Sequence, residues 1–172
     1  FKEDKWLVAA QAKPGNRAVV HHIVVFVRSP GRFGFRGNGV LVGFAPGSPA
    51  RIYPKGVGRK IPAGSKLIFQ MHYTPNGSPQ QDISSVGLVF ADDPKKITHV
   101  IRGGMAAKRL LAIPPKTSAH KVTSSYQFRN EQSLISLSPH MHLRGKSFRF
   151  EAHYPDGKKE ILLDVPRYDF NW

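Results

Sequence analysis

Val19-Val20-His21-His22-Ile23-Val24-Val25-Phe26-Val27 is a run of β-branched and aromatic residues that stays apolar at odd and even positions alike, interrupted only by two adjacent histidines. A strand covered on one face alternates apolar with polar side chains, whereas a strand covered on both faces does not, so this stretch predicts a central strand of a packed sheet. Around it, 16 glycines and 14 prolines punctuate short apolar runs from end to end, which predicts an all-β chain. Upstream, Trp6 to Ala12 reads as a strand closed by the turn Lys13-Pro14-Gly15-Asn16. Downstream, Arg28 to Gly39 is loop chemistry and Val40 to Phe44 returns to the sheet. After the turn Ile61-Pro62-Ala63-Gly64, Leu67, Phe69, Met71 and Tyr73 alternate with Ile68, Gln70 and His72, and Ser85 to Phe90 makes the next strand. The one helical candidate, Met105 to Leu110, is short.

Between Gly103 and Pro115 the strand pattern breaks into Gly-Gly, a short Ala/Leu segment and Pro-Pro, which predicts a boundary: a first β-sandwich over 1–104, a linker over 105–115 and a second unit over 116–172. The second unit reads as strands Lys121–Phe128, Leu134–Leu143, Ser147–Tyr154 and Glu160–Val165, with a hairpin turn at Pro155-Asp156-Gly157. So few strands do not close two sheets. The expected fold is therefore two consecutive β-sandwiches, jelly-roll-like, the second incomplete at its C-terminal end, with Trp172, Phe170 and Leu163 exposed there and further domains in a longer chain.

Lys and Arg number 26 against 11 Asp and Glu, a net charge of +15. That brings nucleic acid, an acidic polymer or an anionic surface into consideration as partners. The basic residues, among them Arg28, Arg32, Arg36, Arg51, Lys55, Arg59 and Lys60, are scattered among Gly and Pro and form no run of four. With no recognisable nucleic-acid module, nucleic acid is not expected as a partner. The absence of cysteine excludes thiolate ligands, so a transition metal here must be held by His, Met or carboxylate. Gly31-Arg32-Phe33-Gly34 is a loop, not a dinucleotide motif, and neither a P-loop nor a hydrolytic carboxylate pair is present; Glu151 and Glu160 read as isolated.

Five of the eight histidines fall in apolar strand contexts. His140 and His142 alternate with Pro139, Met141 and Leu143, so on a strand they share one face, close enough to bind one ion, while Met141 points away. His21 and His22 are adjacent and on a regular strand face opposite sides. Either a bulge or a strand end turns both to one side, or one is a core histidine and the other half-exposed. His72 lies on the more polar face of its strand, beside Gln70. His99, His120 and His153 have no partner at metal spacing and read as solvated.

Taken in order, Val19-Val20-His21-His22-Ile23-Val24, then Phe69-Gln70-Met71-His72-Tyr73, then Pro139-His140-Met141-His142-Leu143-Arg144-Gly145, resemble the copper type II, ascorbate-dependent monooxygenases, the family of peptidylglycine α-hydroxylating monooxygenase and dopamine β-monooxygenase. The resemblance implies two β-sandwich domains holding two copper ions per complete protein. By it, His21, His22 and His72 hold the electron-relay copper, with Gln70 beside it, and His140 and His142 hold the copper that meets O2, together with a methionine expected beyond residue 172. Ascorbate would reduce both coppers, and a substrate C–H bond would be hydroxylated, giving an alcohol and water. The substrate would be a small or peptide-like molecule. Peptide-hydroxylating members place an arginine two residues ahead of the His-x-His pair; Ser138 stands there, so a peptide with a C-terminal glycine is not expected. No residue beyond the metal ligands is required as acid or base. A periplasmic or extracellular location is expected, and the segment alone is expected to be inactive.

Two other function classes fit parts of the sequence. Three imidazoles with an open position also describe a catalytic zinc site, and a mononuclear zinc hydrolase or hydratase could use His21, His22 and His72, although no glutamate suited to act as its base stands near the motifs. A non-enzymatic, secreted β-sandwich binding copper or a polyanion would account for the charge.

Overall fold

The computed structural model describes residues 1–31, 39–108 and 110–170. Expectations on Arg32, Phe33, Gly34, Arg36, Arg109 and Trp172 lie outside the described residues. Among those described, the chain is strand and irregular backbone, with a single 3-10 turn at Pro94–Lys96 and no α-helix. It divides into two compact units, Phe1–Gly104 and Met105–Trp172.

The first unit contains β1 (Lys5–Lys13), β2 (Val20–Arg28), β3 (Gly39–Phe44), β4 (Arg51–Ile52), β5 (Val57–Ile61), β6 (Lys66–Tyr73), β7 (Ser85–Phe90) and β8 (His99–Val100). One sheet is organised on β1, which pairs antiparallel with β7 along one edge and with β4 and β5 along the other; β8 adds to β5 in parallel. The other sheet has the order β3-β2-β6, all antiparallel, with β2 in the centre as its two-sided apolar sequence requires. Both sheets feed one core: Leu7 and Ala10 from β1, Ile23, Val25 and Val27 from β2, Leu41 and Val42 from β3, and Ile61 from β5. Because side chains alternate along a strand, burial of Ile23, Val25 and Val27 puts His22, Val24 and Phe26 on the opposite, outer face of that sheet.

The turn before β2 is fixed to a distant loop. The Asn16 carbonyl accepts from Val20 N–H (3.0 Å), and Asn16 N–H donates to the Asp82 carboxylate (2.8 Å). Gly15 lies so close to this loop that a Cβ would collide with the Ile83 backbone carbonyl, which is why the turn takes glycine there.

The second unit is built differently from the sequence expectation. Its strands are β9 (Phe148–His153) and β10 (Lys159–Val165), an antiparallel hairpin closed at Tyr154–Lys158 with Gly157 at φ 86°. Lys121–Phe128 and Leu134–Leu143 are not strands: alternation marks which face could be covered, but no neighbouring strand among the described residues supplies the ladder. The helical candidate at Met105–Leu110 is likewise not helical in its described residues. Leu163 and Phe170 are half-buried, not exposed; the exposed apolar side chains of this unit include Leu110, Phe128, Leu134, Ile135, Leu143 and Ile161.

Candidate metal centres

In the first unit a β-bulge resolves the difficulty of two adjacent histidines. The β2–β6 ladder pairs Val20 with Tyr73 and then His22 with His72, so the register shifts between Val20 and His22 and His21 is the extra residue. The bulge turns the His21 ring toward the outer face. Its Nδ1 lies 3.2 Å from Nδ1 of His22, which lies 3.3 Å from Nδ1 of His72, and the rings of His21 and His72 have centroids 4.9 Å apart. His21 and His22 are half-buried and His72 is exposed, and theirs is the one group of three or more potential ligands found among the described residues.

These spacings fit a metal ion. Imidazole nitrogens bind zinc at about 2.0–2.1 Å, and two nitrogens at adjacent corners of a tetrahedron of that size stand roughly 3.3 Å apart. A ring nitrogen is either a donor or an acceptor, so one shared cation matches three converging Nδ1 atoms more simply than hydrogen bonds between them. Imidazole suits copper and zinc alike.

The surroundings hold both histidine strands in place. Thr74 N–H donates to the Val19 carbonyl (2.8 Å), extending the β2–β6 pairing past the bulge. Tyr73 donates its hydroxyl to Asp82 (3.0 Å), the carboxylate that also anchors Asn16, and Ser84 donates to the same oxygen at 2.8 Å. Partial burial works against ionisation of Asp82, but the donors from Ser84, Asn16, Tyr73 and Gly15 outweigh it and hold the carboxyl below its ordinary pKa. Accepting from Tyr73 in turn pushes that phenol above the usual range. Gln70 pairs with Val24, one step along the face that carries His22 and His72. Nothing in the sequence pattern singled out Asp82 or Asn16; an Asn in a Pro-Gly turn is the only local signal.

In the second unit His140 and His142 lie in irregular backbone, yet their rings meet edge to face with centroids 5.0 Å apart. Shielding from water, and then the nearby His142, lower the His140 pKa, favouring the neutral ring that ligates metal. The Met141 side chain lies beside Gly145, its Cβ and Cε close to where a Gly145 side chain would stand. Met71 packs against the first core. Tyr168, which no motif pointed to, holds the Met141 backbone through its hydroxyl.

His99, His120 and His153 are exposed; His99 lies against the Thr98 hydroxyl (2.9 Å) and His153 against Glu151 (3.4 Å). Glu151 and Glu160 are not isolated, since Glu151 also faces Arg149 at 3.8 Å and Glu160 accepts from the Tyr154 hydroxyl at 2.9 Å. No protein-family model matches the chain, and no curated protein matches it. No helix among the described residues is long and apolar enough to cross a membrane.

Proposed function

We propose that the chain carries the two copper sites of a type II, ascorbate-dependent monooxygenase on two β-sandwich domains of jelly-roll type. The observation that supports this most is the convergence of His21, His22 and His72 across a bulged strand pair, in a sequence that also brings His140 and His142 together. When bound, copper supplies one-electron redox chemistry, taking electrons from ascorbate and reducing O2 so that one oxygen atom enters a substrate C–H bond and the other leaves as water. The protein's part is to hold donors and exclude water. His21, His22 and His72 form an all-nitrogen set, with Gln70 beside them, while Val24, Phe26 and Ile68 give the same sheet face an apolar, half-buried strip. His140 and His142 form the second set, and its thioether has to come from a residue other than Met141. With Ser138 ahead of the pair, the substrate is a small or peptide-like molecule without a C-terminal glycine. The location is periplasmic or extracellular.

A zinc hydrolase on the three-histidine set is the competing assignment, favoured by the donor type alone. Among the described residues the ligand group contains no carboxylate, and Asp82 accepts three hydrogen bonds as an anchor of the β2 turn and β6, which weighs against it as a general base. Metal analysis separates the two. After copper loading and dialysis, two copper ions per chain are expected; His72→Ala loses one, and His140→Ala loses the other. Preferential retention of a single zinc, or stoichiometry indifferent to His72, overturns the copper assignment.

A further inference from the structure

The second histidine pair lacks a strand ladder among the described residues, yet its two rings are held edge to face. A single phenol takes the place of the missing neighbour. The Tyr168 hydroxyl donates to the Met141 carbonyl (2.8 Å) and accepts from the Met141 N–H (3.1 Å), so both backbone groups of the residue between the histidines are satisfied by one side chain. Elsewhere in a sheet those groups would be bonded to an adjacent strand. Tyr168 is itself tied down, its N–H donating to the Lys146 carbonyl at 2.9 Å, and the chain turns just after the pair through Gly145 N–H donating to the His142 carbonyl at 2.8 Å. Gly145 has no room for a side chain: a Cβ would stand 2.8 Å from Cδ1 of Tyr168, 2.8 Å from Cβ of Met141 and 3.0 Å from its Cε. Ring, glycine and methionine therefore form one packed cluster on the segment that carries the histidines.

We propose that Tyr168 is the positioning residue of the second metal site. By holding both backbone groups of Met141 it fixes the segment so that His140 and His142 present their rings together, and Gly145 is glycine because the phenol ring occupies the space its side chain would fill. This rests on reading His140 and His142 as ligands. In this role Tyr168 acts through the backbone between the two rings, as outer groups do when they orient the residues that bind a metal.

The test uses the full chain with His21, His22 and His72 replaced by Ala, so that only the second site reports, titrated with Cu(II) and followed by electron paramagnetic resonance. Tyr168→Phe keeps the ring and removes both hydrogen bonds; Gly145→Ala keeps the hydroxyl and displaces the ring. Each is expected to weaken copper binding by about tenfold or more and to change the copper hyperfine pattern. Amide exchange in β9 and β10 should stay at the parent level, showing that the hairpin has not melted. Parent-like affinity and spectrum in both variants would overturn the positioning role. A parent that binds no copper removable by His140→Ala would overturn it too, by showing that the pair is not a ligand set at all.

Discussion

Asp82 accepts from the Asn16 N–H, the Tyr73 hydroxyl and the Ser84 hydroxyl, so the turn that enters β2 and the end of β6 hang on one carboxylate. Its pKa is lower in the folded chain than its ordinary value. A depressed carboxylate contributes stability that is present above the unfolded pKa, near about 3.9, and is lost as pH falls through the folded value. Acid should therefore loosen the support of the three-histidine site before it touches the histidine-free part of the core. Thermal midpoints measured from about pH 2.5 to 6 are expected to fall at the acid end for the native chain and to change less for Asp82→Asn, with the two converging at the lowest pH. Glu3 and Asp4 are also held low, Glu3 by its contact with Lys5 and Asp4 by its contact with Lys60, so a residual acid limb should remain in the variant. Parallel curves would show that Asp82 carries no such linkage.

At the level of elements, β2 serves two layers. Ile23 is wholly buried in the core while its neighbour His22 faces outward, so the strand that bears two of the three ligands, His21 and His22, is firmly packed, whereas β6, which bears His72, has no fully buried residue. Ile23→Ala is expected to cost about 2–5 kcal/mol, read as a lowered urea midpoint with an unchanged slope. The strand and its central position were legible from the sequence because Val19 to Val27 is apolar at both parities. The pairing of His22 with His72 was not, since periodicity says which face a residue takes but not its register. The strands β4, β5 and β8 escaped the reading for a related reason: Arg51–Ile52 and His99–Val100 are too short to show a period, and Val57-Gly58-Arg59-Lys60-Ile61 places glycine and two charges inside its run. In the other direction, Leu134 to Leu143 alternates well but has no ladder among the described residues, so its histidines were legible as a pair on one side while the Tyr168 hydroxyl that bonds the Met141 backbone between them was not.

For the whole molecule, burial is distributed unevenly. Among the described residues the fully buried apolar side chains all lie between Leu7 and Ile61, and none of the second unit is fully buried. Protection against opening follows buried packing, so limited proteolysis is expected to cut first between Met105 and Lys146, leaving a resistant fragment close to 1–104. Early cuts in β1, β2 or β3 would contradict this. The pairing of His22 with His72 has a consequence for endurance as well as for chemistry. Among the described residues β6 has only β2 as a neighbour, which makes it an open border of its sheet, and Phe69 and Tyr73 on it are exposed. An ion gripped from β2 and β6 together would act as a removable rivet along that border. At a hundredfold excess over its dissociation constant it would add about 2.7 kcal/mol to the folded state. Deuterium uptake by β6 amides should then be slow in the loaded protein and fast after chelation, while β2 changes little. A chain stripped of its metal would have lost more than a reactive centre: the border strand of its sheet would part from β2 more readily.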